Sequence, residues 1–275
     1  MTSNTLADAR PAGAGVVVAP LAVRRITVAD VLAALRQGLD DFRDSRAHLI
    51  LLALIYPVLG LVLGRIASGA DALPLIYPMV SGFALLGPFA AVGLYEMSKR
   101  REAGKPVSWG DAFDVRHSPQ LGAIVLLGLL LGALFVLWLY AAAAVFEATL
   151  GRQALETAAS GAWLHAVFTT RAGWALLILG NGVGFLFAAA ALILGVVSFP
   201  LLVDRPLAAT AGLQVTVALR ASAAAVWANK LPMAVWGAVV AGGLILGSIP
   251  LLVGLAVVMP ILGHATWHLY RKLIV

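Results

Sequence analysis

Four side chains in this sequence have the types and positions to do chemistry: Glu96, Asp204, His264 and His268. Each lies at the edge of a long apolar stretch, just before basic residues: Lys99-Arg100-Arg101, Arg205, or Arg271-Lys272. Ionisable groups in apolar surroundings are expensive to keep, which makes them site candidates by default. His264 and His268 are four apart and so share one face of a helix. Such a pair could bind a metal ion, ligate haem through one nitrogen, or relay protons. It could also belong to a polar layer where helices meet lipid headgroups, hydrogen-bonded across a bundle. The shortage of further ligands favours that last reading.

Other chemistry is excluded more firmly. The chain has no cysteine, which removes disulfides, thiolate metal sites and iron–sulfur clusters. It contains no Walker loop, no serine nucleophile elbow and no His-Glu-x-x-His. The expectation is therefore a protein that is not an enzyme, with no cofactor and no resident metal. The formal charge of +6 does not point to nucleic acid, because the basic residues flank apolar spans instead of forming one soluble face.

The elements that position these residues follow from composition. Of 275 residues, 61% are hydrophobic and 12% charged, with a mean hydropathy of +0.97. Soluble domains carry roughly 25% charged residues, so the chain lacks water-facing surface. Helices that satisfy their own backbone and face lipid all round resolve that deficit. Crossing the hydrocarbon core takes about 20 apolar residues. His48–Ala67, Pro74–Met97, Leu121–Phe146 and Trp174–Val203 qualify directly. Leu231–Tyr270 is too long for one span, and Gly247-Ser-Ile-Pro250 splits it into two.

The fold class is accordingly all-α, a polytopic membrane bundle of six transmembrane helices. Residues 1–23 are expected to be a disordered cytoplasmic tail and 24–275 the membrane domain. Lys and Arg concentrate on the side of the N-terminus, while Arg65, Arg152 and Arg171 alone fall opposite, which places both termini in the cytoplasm.

The cytoplasmic segments read as amphipathic helices. Val28, Val31, Leu32, Leu35, Leu39 and Phe42 recur at helical spacing, while Asp30, Gln37, Asp40, Asp41 and Asp44 fall mostly elsewhere. Thr27 with Asp30, and Ser108 with Asp111, have capping-box spacing, the second opening a short helix that Pro119 should end. Pro206–Lys230 reads as a third such helix, with Trp227 as an interfacial aromatic. Placing Pro78–Arg100 on Pro250–Lys272 superposes Pro78 on Pro250, Pro88 on Pro260, Tyr95 on Trp267 and Glu96 on His268. The middle pair ends alike, with Pro200 before Asp204, so the bundle reads as three repeated hairpins, each led by a cytoplasmic helix. Equivalent positions at one depth would gather Glu96, Asp204, His264 and His268 into a single interior polar cluster.

Three segments, Leu86-Gly-Pro-Phe-Ala-Ala-Val-Gly-Leu-Tyr-Glu96, Phe199-Pro-Leu-Leu-Val-Asp204 and Leu262-Gly-His-Ala-Thr-Trp-His-Leu-Tyr-Arg-Lys272, carry a resemblance, together with Asp40-Asp-Phe-Arg-Asp44. They resemble the bacterial integral membrane proteins grouped as domain of unknown function 2189 (DUF2189). The resemblance implies an inner (cytoplasmic) membrane location and no established activity. Some members of that family are labelled as a cytochrome c oxidase catalytic subunit. The chain's histidines are His48, His117, His165, His264 and His268, and only the last two lie within an expected span, His48 standing at the very start of one, too few for a haem–copper core. An accessory place beside a respiratory complex stays open.

Two functional classes remain. One is an accessory or scaffold protein whose cytoplasmic helices engage lipid or a membrane-protein partner. The other is a small-solute or ion translocator built on proline-broken hairpins. The first is preferred, because no expected span carries a charge near its middle.

Overall fold

The computed structural model describes residues 21–44, 76–151, 162–205, 207, 210–250 and 254–275. The expected span His48–Ala67 lies outside the described residues, as do Arg65 and Arg152. What is described is helical, with one isolated bridge between Val23 and Ile274 and no strand among the described residues.

In chain order, α1 covers Val28–Asp44, α2 Ile76–Phe83, α3 Gly87–Ala90 and α4 Val92–Glu102. A 3-10 helix at Trp109–His117 precedes α5 (Leu121–Thr149), α6 (Ala162–Thr169), α7 (Arg171–Gly195) and α8 (Ser198–Asp204). The chain closes with α9 (Ala211–Ala228), α10 (Lys230–Ser248) and α11 (Leu255–Leu273).

Among the described residues, five stretches are long and apolar enough to cross a membrane: Tyr77–Glu102, Leu121–Thr149, Arg171–Asp204, Ala211–Ala228 and Lys230–Ser248. Their outer faces suit lipid. Leu129 is 67% exposed and Phe185 71%, with Tyr140, Ile178 and Leu246 similarly bare. Apolar surface on that scale is stable against hydrocarbon and not against water. α11, expected as the last span, falls outside that group because its C-terminal half carries His264, His268, Arg271 and Lys272.

Two of the long stretches are interrupted, and proline sets where. Pro88 follows a 3-10 turn at Ala84–Leu86, and Pro200 follows a break at Val196–Val197. A helical proline lacks an amide proton and its ring clashes with the carbonyl four residues back. Four back from Pro88 is Ala84, and four back from Pro200 is Val196. Pro260 lies inside α11, which stays continuous through it. The two breaks touch: a Cβ on Gly195 would lie 2.8 Å from Pro88 Cγ, and the Phe89 and Phe199 rings are 6.1 Å apart.

The long apolar stretch Leu231–Tyr270 is divided where the glycines predict. α10 ends at Ser248, and Ile249 and Pro250 form a turn. A Cβ on Gly254 would meet the Gly247 carbonyl at 2.7 Å, so the two strands of this turn approach as closely as glycine alone permits.

Both expected capping boxes form. The Thr27 amide donates to Asp30 Oδ2 at 2.9 Å and the Asp30 amide to Thr27 Oγ1 at 3.3 Å. Ser108 and Asp111 open the Trp109–His117 helix, which ends at Ser118, before Pro119. α9 occupies the expected stretch but is not amphipathic in the expected sense. It buries Gln214 and Ser222 with Ala218, Ala221 and Ala225, and exposes Leu213 and Trp227. Ser222 Oγ accepts from the Val197 amide at the α7–α8 break.

Candidate functional site

α1 packs antiparallel along α11, and its buried stripe is Val31, Ala34, Gly38 and Asp41. The first three are apolar or small, which lets the helices close. The fourth is a carboxylate, so burial obliges it to find partners. Ser98 of α4 donates to Asp41 Oδ2 at 2.6 Å. The same oxygen lies 3.0 Å from His268 Nε2 and 3.7 Å from His264 Nδ1. Arg101 Nη1 stands 3.5 Å from Asp41 Oδ1 and donates to the Asp41 carbonyl at 3.1 Å. His264 is 1% exposed, and its Nδ1 is 2.7 Å from Ser98 Oγ.

Burial alone would push the Asp41 carboxyl up. Hydrogen bonds from His268 and Ser98 and the charges of both histidines outweigh it and hold Asp41 below the usual carboxylate range. A cleft of about 270 Å³ opens onto this network, lined by Asp41, Ser98, Arg101, Glu102, His268 and Arg271 among others.

The four residues singled out by sequence are therefore placed unequally. His264 and His268 are together, on one helix face, as their spacing requires. Asp204 is one link away: Tyr270 donates to its Oδ2 at 2.5 Å, and Arg271 Nη1 is 3.5 Å from the same atom. Arg271 also pairs with Glu102 at 3.0 Å, which in turn accepts from Trp267 Nε1. Glu96 looks elsewhere. It takes Arg100 Nε at 3.2 Å and Lys99 Nζ at 3.9 Å, and Arg100 continues to Asp111 and Asp114 on the 3-10 helix. Glu96 and Ser98 are two residues apart, about 200° around a helix, so only one of them can face α11. That one is Ser98.

Sequence reasoning missed Asp41 and Ser98 as members of the site. A signal for Asp41 existed: it continues the 31-34-38 stripe at helical spacing, so it sits on the face that packs. Ser98 carries no comparable mark, since its role depends on what α1 and α11 bring to it. His117 is exposed beside Asp114, and His165 is exposed beside Thr169. Among the described residues no group of three or more His, Cys, Asp or Glu is arranged to hold a metal ion.

Residues 76–204 match the family model described as predicted integral membrane protein, DUF2189. Over those residues, just under half of the chain, the protein is similar to DUF2189. The matched region holds Glu96, Ser98, Asp204 and both proline-set breaks. Asp40–Asp44 and Leu262–Lys272, which also carried the resemblance, lie beyond it. No curated protein and no solved structure matches the chain.

Proposed function

We propose that the protein is a non-catalytic accessory protein of the bacterial inner membrane, with six spans and both termini in the cytoplasm. Its helical cytoplasmic cap engages lipid headgroups or a membrane-protein partner. One observation carries this reading: in the candidate spans other than Ala211–Ala228, the charged side chains lie at the ends, and most of those at the α4–α11 end pair with one another. Glu96, Lys99, Arg100 and Glu102 sit in the last turns of the first described span, and Arg171 and Asp204 at the two ends of the third. A pathway for a charged solute needs compensating groups at mid-membrane depth.

The contacts also support α9 as part of the cap, although its composition would let it cross. The chain enters the 205–229 stretch from Asp204, which is tied to Arg271 and Tyr270. It leaves through Asn229, which accepts from the Ile26 amide at 2.7 Å and donates to the Arg24 carbonyl at 3.1 Å. Arg24 in turn donates to the Leu273 carbonyl at 2.8 Å. Both ends of this stretch thus meet the last turns of α11, and a helix that starts and ends at one face has not crossed. Pro88 and Pro200, each four residues after the start of a helix break, support related hairpins.

A translocator is the second reading, favoured by the contact of the two helix breaks at Pro88 and Gly195. Native mass spectrometry from mild detergent separates the two readings. The accessory reading expects a lipid or protein chain retained in fixed ratio, and no solute flux in proteoliposomes. Flux above that of empty vesicles, from a chain that retains nothing, would replace it with the translocator.

A further inference from the structure

Ser98 has one hydroxyl proton and two partners. That proton goes to Asp41 Oδ2, so Ser98 Oγ can only accept from His264, which must carry its proton on Nδ1. Asp41 Oδ2 also accepts from His268, which must be protonated on Nε2. A row of hydrogen bonds thus runs from an imidazole that is 1% exposed, through a serine equally buried, to a carboxylate at the wall of the cleft. Each link in that row is 2.6 or 2.7 Å long.

We propose that His264, Ser98 and Asp41 form a proton relay that exchanges the proton of a buried imidazole with the cytoplasmic cleft. The step balances within three residues. Doubly protonated His264 gives its Nδ1 proton to Ser98 Oγ as the Ser98 hydroxyl proton passes to Asp41 Oδ2. That leaves neutral His264 with its proton on Nε2, an unchanged serine hydroxyl and a neutral Asp41 carboxyl. The carboxyl then releases its proton into the cleft, and the reverse sequence loads the imidazole.

The surroundings suit transit better than storage. Arg101 beside Asp41 favours the carboxylate, so a proton arriving there is passed on. Asp44 shares Arg101 at 3.3 Å, and Lys272 is drawn toward Asp30 at 3.7 Å. Glu102 and Arg271 neutralise each other across the cleft, Arg271 also reaching Asp204. α10 packs on both α1 and α11 and brings no titratable group but Lys230, which lies over the Trp227 ring. The short α3 brings none. Among the described residues, the histidine pair and Asp41 are thus the groups left to carry the proton.

The experiment uses the full chain with 15N-labelled histidine in lipid nanodiscs, with His264→Gln to assign the His264 resonances. Wild type is expected to show His264 protonated on Nδ1, exchanging with water faster than the backbone amides of the surrounding helix. In Ser98→Ala and in Asp41→Asn that exchange should fall by roughly tenfold or more, because it would then wait on local opening of the helix pair. The α11 amides should keep their wild-type rates. An unchanged His264 rate in Ser98→Ala overturns the relay. So does a resting His264 that carries no proton on Nδ1, or amide and imidazole rates that shift together, which marks a merely structural role.

Discussion

Gly38 and Ala265 bring α1 and α11 into backbone contact: a Cβ on Gly38 would lie 2.4 Å from the Ala265 nitrogen. Nothing larger than hydrogen fits between the helices there, and the close approach lets Asp41, one turn on, reach the histidines.

Gly38→Leu should therefore loosen the helix pair as a unit. Overpacking a filled site costs about 1–3 kcal/mol, more where backbone is the obstacle. Thermal unfolding in detergent should show a lower midpoint, and proteolysis should cut α1 earlier than in wild type. The control is Gly132→Leu, where a Cβ meets nothing within 4 Å. Equal midpoints for Gly38→Leu and wild type would contradict the packing described here.

Arg100 ties the end of α4 to the Trp109–His117 helix through Glu96, Asp111 and Asp114. Charge-assisted hydrogen bonds of partly buried groups contribute about 1.5–3 kcal/mol where geometry is good, and these are shared among three acceptors. Arg100→Ala should lower stability by about 1–2 kcal/mol and raise amide exchange in 109–117 before it affects α1. Arg100→Lys should recover only part, since a single ammonium cannot hold both aspartates in the planar fork. Loss of α1 protection first would mean the two halves of the cap are not separate.

Asp41 gives a signed pH dependence. Its carboxyl is held below the ordinary value, so between the two values the unfolded chain binds more protons than the folded one. The stability it contributes is complete above the unfolded value of about 3.9 and is lost as pH falls through the lower native one. Wild type should accordingly lose stability more steeply below about pH 4 than Asp41→Asn, and exceed it at neutral pH. Midpoints recorded from pH 3 to 7 decide this. Parallel curves would show that Asp41 is not held as the structure indicates.

Much of this architecture was legible in the sequence, for reasons that differ by element. Apolar length identifies spans because lipid leaves few alternatives, and prolines 88 and 200 fix breaks through a local clash that needs no tertiary information. Thr27–Asp30 and Ser108–Asp111 are also local. The site was legible only in part. His264 and His268 share a face by covalent geometry alone, whereas choosing Ser98 over Glu96 requires knowing which side of α4 meets α11. Asp41 was overlooked because an acidic residue among Asp40, Asp41 and Asp44 reads as solvated, although its register with Val31, Ala34 and Gly38 puts it inside. α9 falls in the stretch read from sequence as a cytoplasmic helix, although its length and composition would also let it cross.

The orientation of α9 gives the last prediction. The natural chain has no cysteine, so single cysteines report topology without background. Ala103 caps α4, Trp227 is 63% exposed near the end of α9, and Ile249 is exposed in the α10–α11 turn. If Asp204 and Asn229 both meet the same end of α11, Ala103→Cys and Trp227→Cys lie on one side of the membrane and Ile249→Cys on the other. An impermeant thiol reagent applied to intact cells should then label position 249 and spare 103 and 227, and all three should react once the cells are opened. The proline turn is the sensitive control, because a continuous helix through Pro250 would bury position 249 in lipid and leave it unlabelled throughout. Labelling of 227 together with 249 in intact cells would make α9 a true span. The tie between Asn229 and Arg24 would then have to break, since one residue cannot cap the cytoplasmic end and lie outside.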